Sequence, residues 1–506
     1  MSTSIFRANE NFAKRVFNED EHEYRTKFQR DRDRVLYSKE FRRLSGKTQV
    51  FVAGFDDHMR TRLTHTLEVA QIADTIARAL ELNEVLVEAI AFGHDVGHTP
   101  FGHVGERILN KIMNGCMDIN QFNTTLESGQ RGFKHNWQGI RVVADLEQIS
   151  SEYKGLNLTN YTRWGILNHT KKNYKKCEHL HDGKCTLMNR SNTCDLEGAI
   201  KTDYYNKYSS LINDTQDWTF EGVTVAVADE IAQRHHDIED ALHARIISII
   251  DVCNKFEQYF SGHLKEDQYE ILEDIKTCDE IFKTSKLSKL IVNFYTDNYI
   301  KLMKQKMVDL INSFNLIDEQ NFEDKKAEIY NHLIEKYNEE SIVKALSFSK
   351  EKMKDERSFS ESDELFQKYL SSVILKSELA QSMDGKADYI IRQLFKAYLT
   401  NPQQLPDKTV IKVYESIKLR YEELMKESDR EERDESIDKI IKESTVNDKI
   451  LFYEARQRVE KLMVHRNSVI DEIILRTVCD FIAGMTDQFA LDQFDRLYGS
   501  GKYRKI

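Results

Sequence analysis

From Gly93 to Glu106 the chain reads Gly-His-Asp-Val-Gly-His-Thr-Pro-Phe-Gly-His-Val-Gly-Glu, with three histidines, an aspartate and a glutamate in fourteen residues. Imidazoles and carboxylates are the side chains that hold divalent cations and move protons near neutral pH. His94 and Asp95 are adjacent, so on a helix they project about 100° apart and share an ion only if it lies beside the helix. His65, before this stretch, and Asp229, opening a later helical pattern, complete a set of two nitrogens and two oxygens. Such a set suits manganese, iron, nickel, cobalt or zinc, and magnesium less naturally, with positions left for water or phosphate oxygens. An ion there would polarise a phosphoryl oxygen and stabilise the charge developing on it. Twelve of the sixteen histidines fall between His58 and His243, which favours a centre over scattered use.

The segments that must carry these groups read as helices. His65, Val69, Ile72, Ile76 and Leu80 follow one face of a helix over residues 61–82, so His65 points inward at its start. A satisfied core histidine would look the same. A second helix runs from Val85 to about His94, with Leu86, Ala89, Ile90 and Gly93 inward, and ends by Gly97. Proline interrupts helices, and of only three prolines Pro100 is the sole one before Pro402, so it marks a placed break. A further helix begins near residues 102–104, where His103 and Glu106, three apart, share one side. Upstream, a helix is expected over residues 31–44, followed by an extended segment at 48–52. Downstream, the pattern over 223–251 sets Ile231, Ile238 and Leu242 on one face and Asp229, Gln233, His236, Asp237 and Asp240 on another. A solvated acidic face is the alternative there, but Val225, Ala226, Val227 and Ala228 suggest that the helix enters the protein just before Asp229.

The totals bound the rest. The 506 residues suffice for a sizeable core, and the scarcity of proline suits an all-α fold. The divisions expected are a polar arm at 1–24, a catalytic core at 25–260 with a polar insertion at about 171–200, a charged helical region at 261–450, and helices at 451–506 packing back on the site. The run 426–435 is expected to be an exposed helix or loop. No window approaches the roughly 18 apolar residues of a membrane span. The first residues lack an apolar signal core, and seven cysteines make no disulfide framework, so a cytoplasmic location without membrane association is expected. The net charge of −11 argues against a generally basic nucleic-acid binder. Residues 25–47 nevertheless carry nine Lys/Arg against three Asp/Glu, which would focus an anionic ligand or a single-stranded nucleic acid on that region.

A lone histidine, then His-Asp, then an aspartate opening a later helix is the ordered signature of the HD phosphohydrolase superfamily, which the sequence resembles. The resemblance narrows to the dGTPase family. It is carried by Phe28-Gln29-Arg30-Asp31-Arg32-Asp33-Arg34, Phe41-Arg42-Arg43-Leu44, Lys47-Thr48-Gln49-Val50-Phe51, the segment from Thr61 to Val69, and the whole opening stretch. Gly155-Leu156-Asn157-Leu158-Thr159, Asp229-Glu230-Ile231-Ala232, His236-Asp237-Ile238-Glu239-Asp240 and Ile482-Ala483-Gly484-Met485-Thr486-Asp487 continue it. The middle of the chain adds nothing diagnostic.

The resemblance implies an all-α HD-type core with a helical elaboration, and water attack at the α-phosphate of a deoxynucleoside triphosphate to give deoxynucleoside and intact triphosphate, with dGTP favoured. It implies His65, His94, Asp95 and Asp229 as ligands of one divalent ion, manganese, magnesium or another transition metal. His103 and Glu106 match the catalytic pair, His103 for proton transfer and Glu106 to hold its tautomer or orient water. His98 and His135 match further active-site histidines; a structural hydrogen bond is the alternative for each. Arg62, three residues before His65, would bind phosphate, and Asp237 would bond the sugar 3′-hydroxyl. Arg43, Gln49 and Gln233 are further substrate-binding candidates. Two positions depart from the family: Gln233 stands where tyrosine is usual, and Asp480-Phe481 where Asp-Tyr is usual, so each loses a phenol that would shape the nucleotide pocket. By the same resemblance the chain would form a homo-oligomer, a tetramer or hexamer, with a dNTP activator. The alternatives are another HD phosphohydrolase or phosphodiesterase, and a non-catalytic nucleotide or single-stranded nucleic-acid binder. In the insertion, Cys177, His179, His181, Cys185 and Cys194 allow a closed structural zinc site of three thiols and one imidazole; a polar loop with reduced cysteines is the alternative.

Overall fold

The computed structural model describes residues 3–49, 60–117, 119, 130–172, 180–181, 184–185, 202–348, 357–426, 435–442 and 451–499. The described helices are, in chain order, α1 (Lys27–Leu36), α2 (Lys39–Arg43), α3 (Arg62–Ala79), α4 (Glu84–Gly93), α5 (Gly102–Met113), α6 (His135–Arg141) and α7 (Asn160–Asn168). They continue with α8 (Phe220–His243), α9 (Ile249–Phe260), α10 (Glu266–Thr277), α11 (Glu280–Phe314), α12 (Glu319–Tyr337), α13 (Ile342–Leu346), α14 (Phe359–Ile374) and α15 (Glu378–Thr400). The last are α16 (Asp407–Lys426), α17 (Glu435–Lys442), α18 (Phe452–Val464), α19 (Ser468–Ala483) and α20 (Asp487–Tyr498). Beside them stands one short antiparallel pairing, Leu180–His181 with Lys184–Cys185. The fold is all-α, as the proline count and periodicities predict. Among the described residues no helix is long and apolar enough to cross a membrane.

The chain groups into two compact units. One comprises Met1–Phe101, His135–Lys172 and Lys207–Gly385; the other comprises Gly102–Lys134, Asn173–Asn206 and Lys386–Ile506. In the first, α3, α4 and α8 pack on one another, with α1 against α4 and α7 against α4 and α8. Each begins at a polar cap. Thr61 accepts the Thr64 N–H to start α3, Asn83 accepts from Leu86 to start α4, and Thr219 accepts from Gly222 to start α8. The inward stripe of α3 (Val69, Ala73, Ile76) and Leu80 just beyond it are fully buried, each large aliphatic group contributing about 1.5–3 kcal/mol. From α9 onward the same unit builds an aromatic cluster of Phe256, Phe260, Phe294, Phe359 and Phe366.

The N-terminal arm docks. Phe6 packs edge-on against Phe322 (ring centroids 5.0 Å) and tilted against Phe220 (4.8 Å), Thr3 Oγ1 donates to Leu80 O (2.9 Å), and the Ala8 N–H donates to Glu221 Oε1 (2.8 Å).

Two expected helices are broken. The one expected over residues 31–44 becomes α1, α2 and a 3₁₀ turn, because Ser38 is extended (ψ 156) and caps α2 by accepting the Phe41 N–H. The pattern over 223–251 divides at Ala244: Arg245 has φ 55, a left-handed conformation that ends α8, and Ser248 then caps α9. Of the segment expected to be extended, Thr48 forms an isolated bridge with Thr61, and residues 50–52 lie outside the described residues.

In the second unit α5 packs on α19, while α16 packs on α18 and α19. Arg476 of α19 donates to Gln130 O (2.9 Å) and Gly132 O (3.2 Å), and its guanidinium lies 3.5 Å from the centre of the Tyr204 ring. The apolar C-terminal segment thus packs on the helix that carries His103 and Glu106.

Candidate active site

The inward end of α3, the end of α4 and the middle of α8 bring four side chains together in the first unit. His65 Nε2 lies 3.0 Å from Asp229 Oδ1 and 4.0 Å from Asp95 Oδ2, and His94 Nε2 lies 3.5 Å from Asp95 Oδ1 and 3.8 Å from Asp229 Oδ1. His65, His94 and Asp95 are buried, and the Asp229 side chain is 14% exposed. The fully solvated face considered for α8 is therefore not what forms: His236 and Asp240 are buried as well, and Gln233 alone of that set is exposed.

His94 supplies the test of whether these residues fit a cation. Its Nδ1–H donates to Ala91 O (2.6 Å), which leaves Nε2 as the lone-pair atom, and that atom is buried with no hydrogen-bond partner. An imidazole so fixed, facing two carboxylates, is prepared as a metal ligand. Burial opposes the charge on Asp95, but His94, Arg62 and His98 outweigh it and hold the carboxyl well below the usual range. Asp229 is likewise depressed, against burial, by the surrounding His65 and His94. Both are therefore ionised at neutral pH, as ligands must be.

Arg62, the expected phosphate residue, is buried and donates from Nη1 to Asp95 Oδ2 (2.7 Å); its Nε and Nη2 are buried without partners. His98 Nε2 lies 3.1 Å from Asp95 Oδ1, and its ring stacks on His135 (centroids 3.9 Å, 20°). Burial, Arg62 and His135 push His98 well below the usual imidazole range, so it is neutral. The close fit of this segment on α6 depends on Gly97, where an added Cβ would overlap His135 O and Gly139 N.

Asp237 lies two turns beyond Asp229 on α8, and burial with the neighbouring Asp240, against Arg234, raises its carboxyl to about 7. Gln49 is partly buried, while Arg43 is exposed and pairs with Glu40. In the second unit, Glu106 is buried, faces His103 Nδ1 at 3.4 Å and accepts from Lys134 Nζ at 2.9 Å. The His103 side chain is 61% exposed. Cys177, His179 and Cys194 lie outside the described residues, as do the side chains of Cys185 and His181.

Three further groups, His169, Glu68 and His236, stand at the site. His169, at the C-terminal end of α7, places its ring 5.2 Å from that of His94 and its Nε2 3.3 Å from His135 Nε2. Burial, His94 and His135 lower it to about 3. Glu68 and His236 form a second line behind His65. His236 had a visible signal in its place on the Asp229 face; His169 had none, since a helix-terminal residue joins no periodic stripe.

The HD domain family matches residues 62–188 and the phosphohydrolase-associated domain matches residues 418–496. A "Deoxyguanosinetriphosphate triphosphohydrolase-like protein" of Caldanaerobacter subterraneus is 44% identical over 47% of this chain and 52% of its own length. Its namesake in Pelagibacter ubique is 38% identical over 51% of this chain and 62% of itself. The chain thus spans only about half to three-fifths of these two relatives. A relative of Mesorhizobium japonicum, "Deoxyguanosinetriphosphate triphosphohydrolase-like protein 1", is 30% identical over 96% of this chain and 92% of its own length.

Proposed function

Because the chain belongs to the dGTPase-like family of HD-domain phosphohydrolases, we propose that it hydrolyses deoxynucleoside triphosphates to deoxynucleoside and inorganic triphosphate, with dGTP the favoured substrate. The observation that carries this reading is the buried His94 Nε2, fixed by Ala91 O and facing the ionised Asp95 and Asp229. His65, His94, Asp95 and Asp229 would hold one divalent ion, manganese or magnesium first. That ion would polarise the α-phosphoryl oxygen and offset the charge developing there.

The chain's own residues supply the rest. Arg62 keeps Asp95 ionised and in place through Nη1, and its Nε and Nη2 would bind a phosphate oxygen. His98, neutral, can donate Nε2–H to Asp95 and so fix the orientation of that ligand. His103 is the proposed proton-transfer group: a Glu106 carboxylate held by Lys134 keeps the hydrogen on His103 Nδ1 and leaves Nε2 as the base. Asp237, near half-protonation at neutral pH, can accept from or donate to a sugar hydroxyl. A homo-oligomer and a dNTP activator belong to the same proposal.

The test is direct. Each of the four dNTPs, singly and in pairs with Mn²⁺ or Mg²⁺, is followed by ³¹P NMR. Intact triphosphate is expected; pyrophosphate with dNMP, or no turnover of any dNTP, would overturn the reading.

A further inference from the structure

Behind the candidate metal centre, on the side of α3 and α8 away from His94, the polar contacts continue in a line. His65 Nδ1 lies 3.1 Å from His236 Nδ1, and His236 Nε2 bonds to Glu68 Oε2. His65 and His236 are buried, whereas Glu68 is 38% exposed and reaches Arg60 Nε at 3.3 Å.

The proton placement in this line is nearly forced. Glu68, beside a guanidinium and partly in water, is an ionised acceptor, so His236 presents Nε2–H to it. A neutral His236 then has only a lone pair at Nδ1. At 3.1 Å that lone pair requires a hydrogen from His65 Nδ1, which leaves His65 Nε2 as a lone pair facing Asp229 Oδ1 at 3.0 Å. Two electron pairs held at that distance are stable when a cation lies among them.

The opposite arrangement would put the hydrogen on His65 Nε2 and give Asp229 a donor. It would then need Nδ1–H on His236, and His236 Nε2 would face the Glu68 carboxylate without a hydrogen. A second metal at Glu68, His235 and His236 would explain the cluster differently. It is disfavoured because Arg60 already places a cation on Glu68 and also pairs with Glu239 and Asp240.

We infer that Glu68 and His236 form a carboxylate–imidazole relay that fixes the tautomer and ring orientation of His65, so that its Nε2 is presented to the ion. They are positioning residues, remote from substrate, and the inference rests on the metal centre proposed above. Outer groups of this kind typically change metal affinity by about 10–100-fold.

The experiment is Mn²⁺ titration by calorimetry of the full chain, beside the melting temperature of the metal-free protein. Glu68→Ala, at a partly exposed helical position where alanine is a good helix former, should weaken Mn²⁺ by about 10–100-fold while the metal-free protein stays fully folded at the temperature of the titration. His236→Asn should weaken it at least as much. The double variant should be no weaker than His236→Asn alone, because both act along one line. Unchanged affinity in Glu68→Ala, while His65→Ala has lost Mn²⁺, would overturn the relay and leave the metal centre standing. Retention of Mn²⁺ by His65→Ala would instead remove the ligand assignment and the relay with it.

Discussion

Two of the buried arginine–aspartate pairs in the first unit, Arg234–Asp363 and Arg62–Asp95, are not alike. Arg234 of α8 donates from Nε and Nη2 to both oxygens of Asp363 and from Nη1 to Glu230 O, and its guanidinium lies between Tyr295 (5.3 Å) and Phe348 (5.8 Å). Every nitrogen is used. Arg62 gives Asp95 one nitrogen and leaves two buried without partners. A buried donor left unpaired costs about 1–3 kcal/mol, more when charged, so the fold keeps Arg62 at a cost it avoids at Arg234. A closed pair stabilises packing, whereas an open one is arranged for something that arrives later.

Asp95→Ala removes a proposed ligand together with the partner of Arg62, and turnover should fall below detection in the ³¹P assay; a retained rate would sink the site. Arg62→Ala should lower kcat by on the order of 100-fold in steady-state kinetics, and a change confined to stability would make Arg62 a second Arg234. Conversely, Arg234→Ala should lose about 3–5 kcal/mol in urea unfolding while the folded fraction keeps its kcat.

The smallest effect concerns Asp237, whose folded pKa of about 7 lies above that of the unfolded chain. Between about pH 4 and 7 the folded state retains a proton that the unfolded state has lost, so this group makes stability fall as pH rises. Asp237→Asn should therefore gain on the parent from pH 4 to 7 and hold a constant advantage above. Equal slopes in urea midpoints would remove that pKa.

What the sequence made legible was whatever repeats along a helix or is adjacent in the chain. His65 stands on the stripe with Val69, Ile72 and Ile76, His94 with Asp95, and Asp229 after an apolar run; all four meet. What stayed hidden depends on distant backbone. Ser38 breaks a charged helix because its own side chain caps the next one, and because Glu147, far along the chain, accepts the Lys39 and Glu40 N–H groups. That Arg62 leans on Asp95, and that His169 sits beside His94, follows from how α3, α4 and α7 meet, which no local spacing encodes. The discontinuity of the two units is equally invisible to composition, since the chain passes from one to the other at Phe101–Gly102, where both residues are left-handed (φ 59 and 58).

The docked arm has a consequence for the order of events during synthesis. Phe6 closes on Phe322, and Asn9 Nδ2 donates to Glu319 Oε2 across a separation of 310 residues. At ribosomal speeds of about 5–20 residues per second, residues 6–9 wait roughly 15–60 s for those partners to be made. Closure of so long a loop comes late and is entropically slow, so Phe6, even after it meets Phe220, keeps the side that faces Phe322 uncovered over that interval.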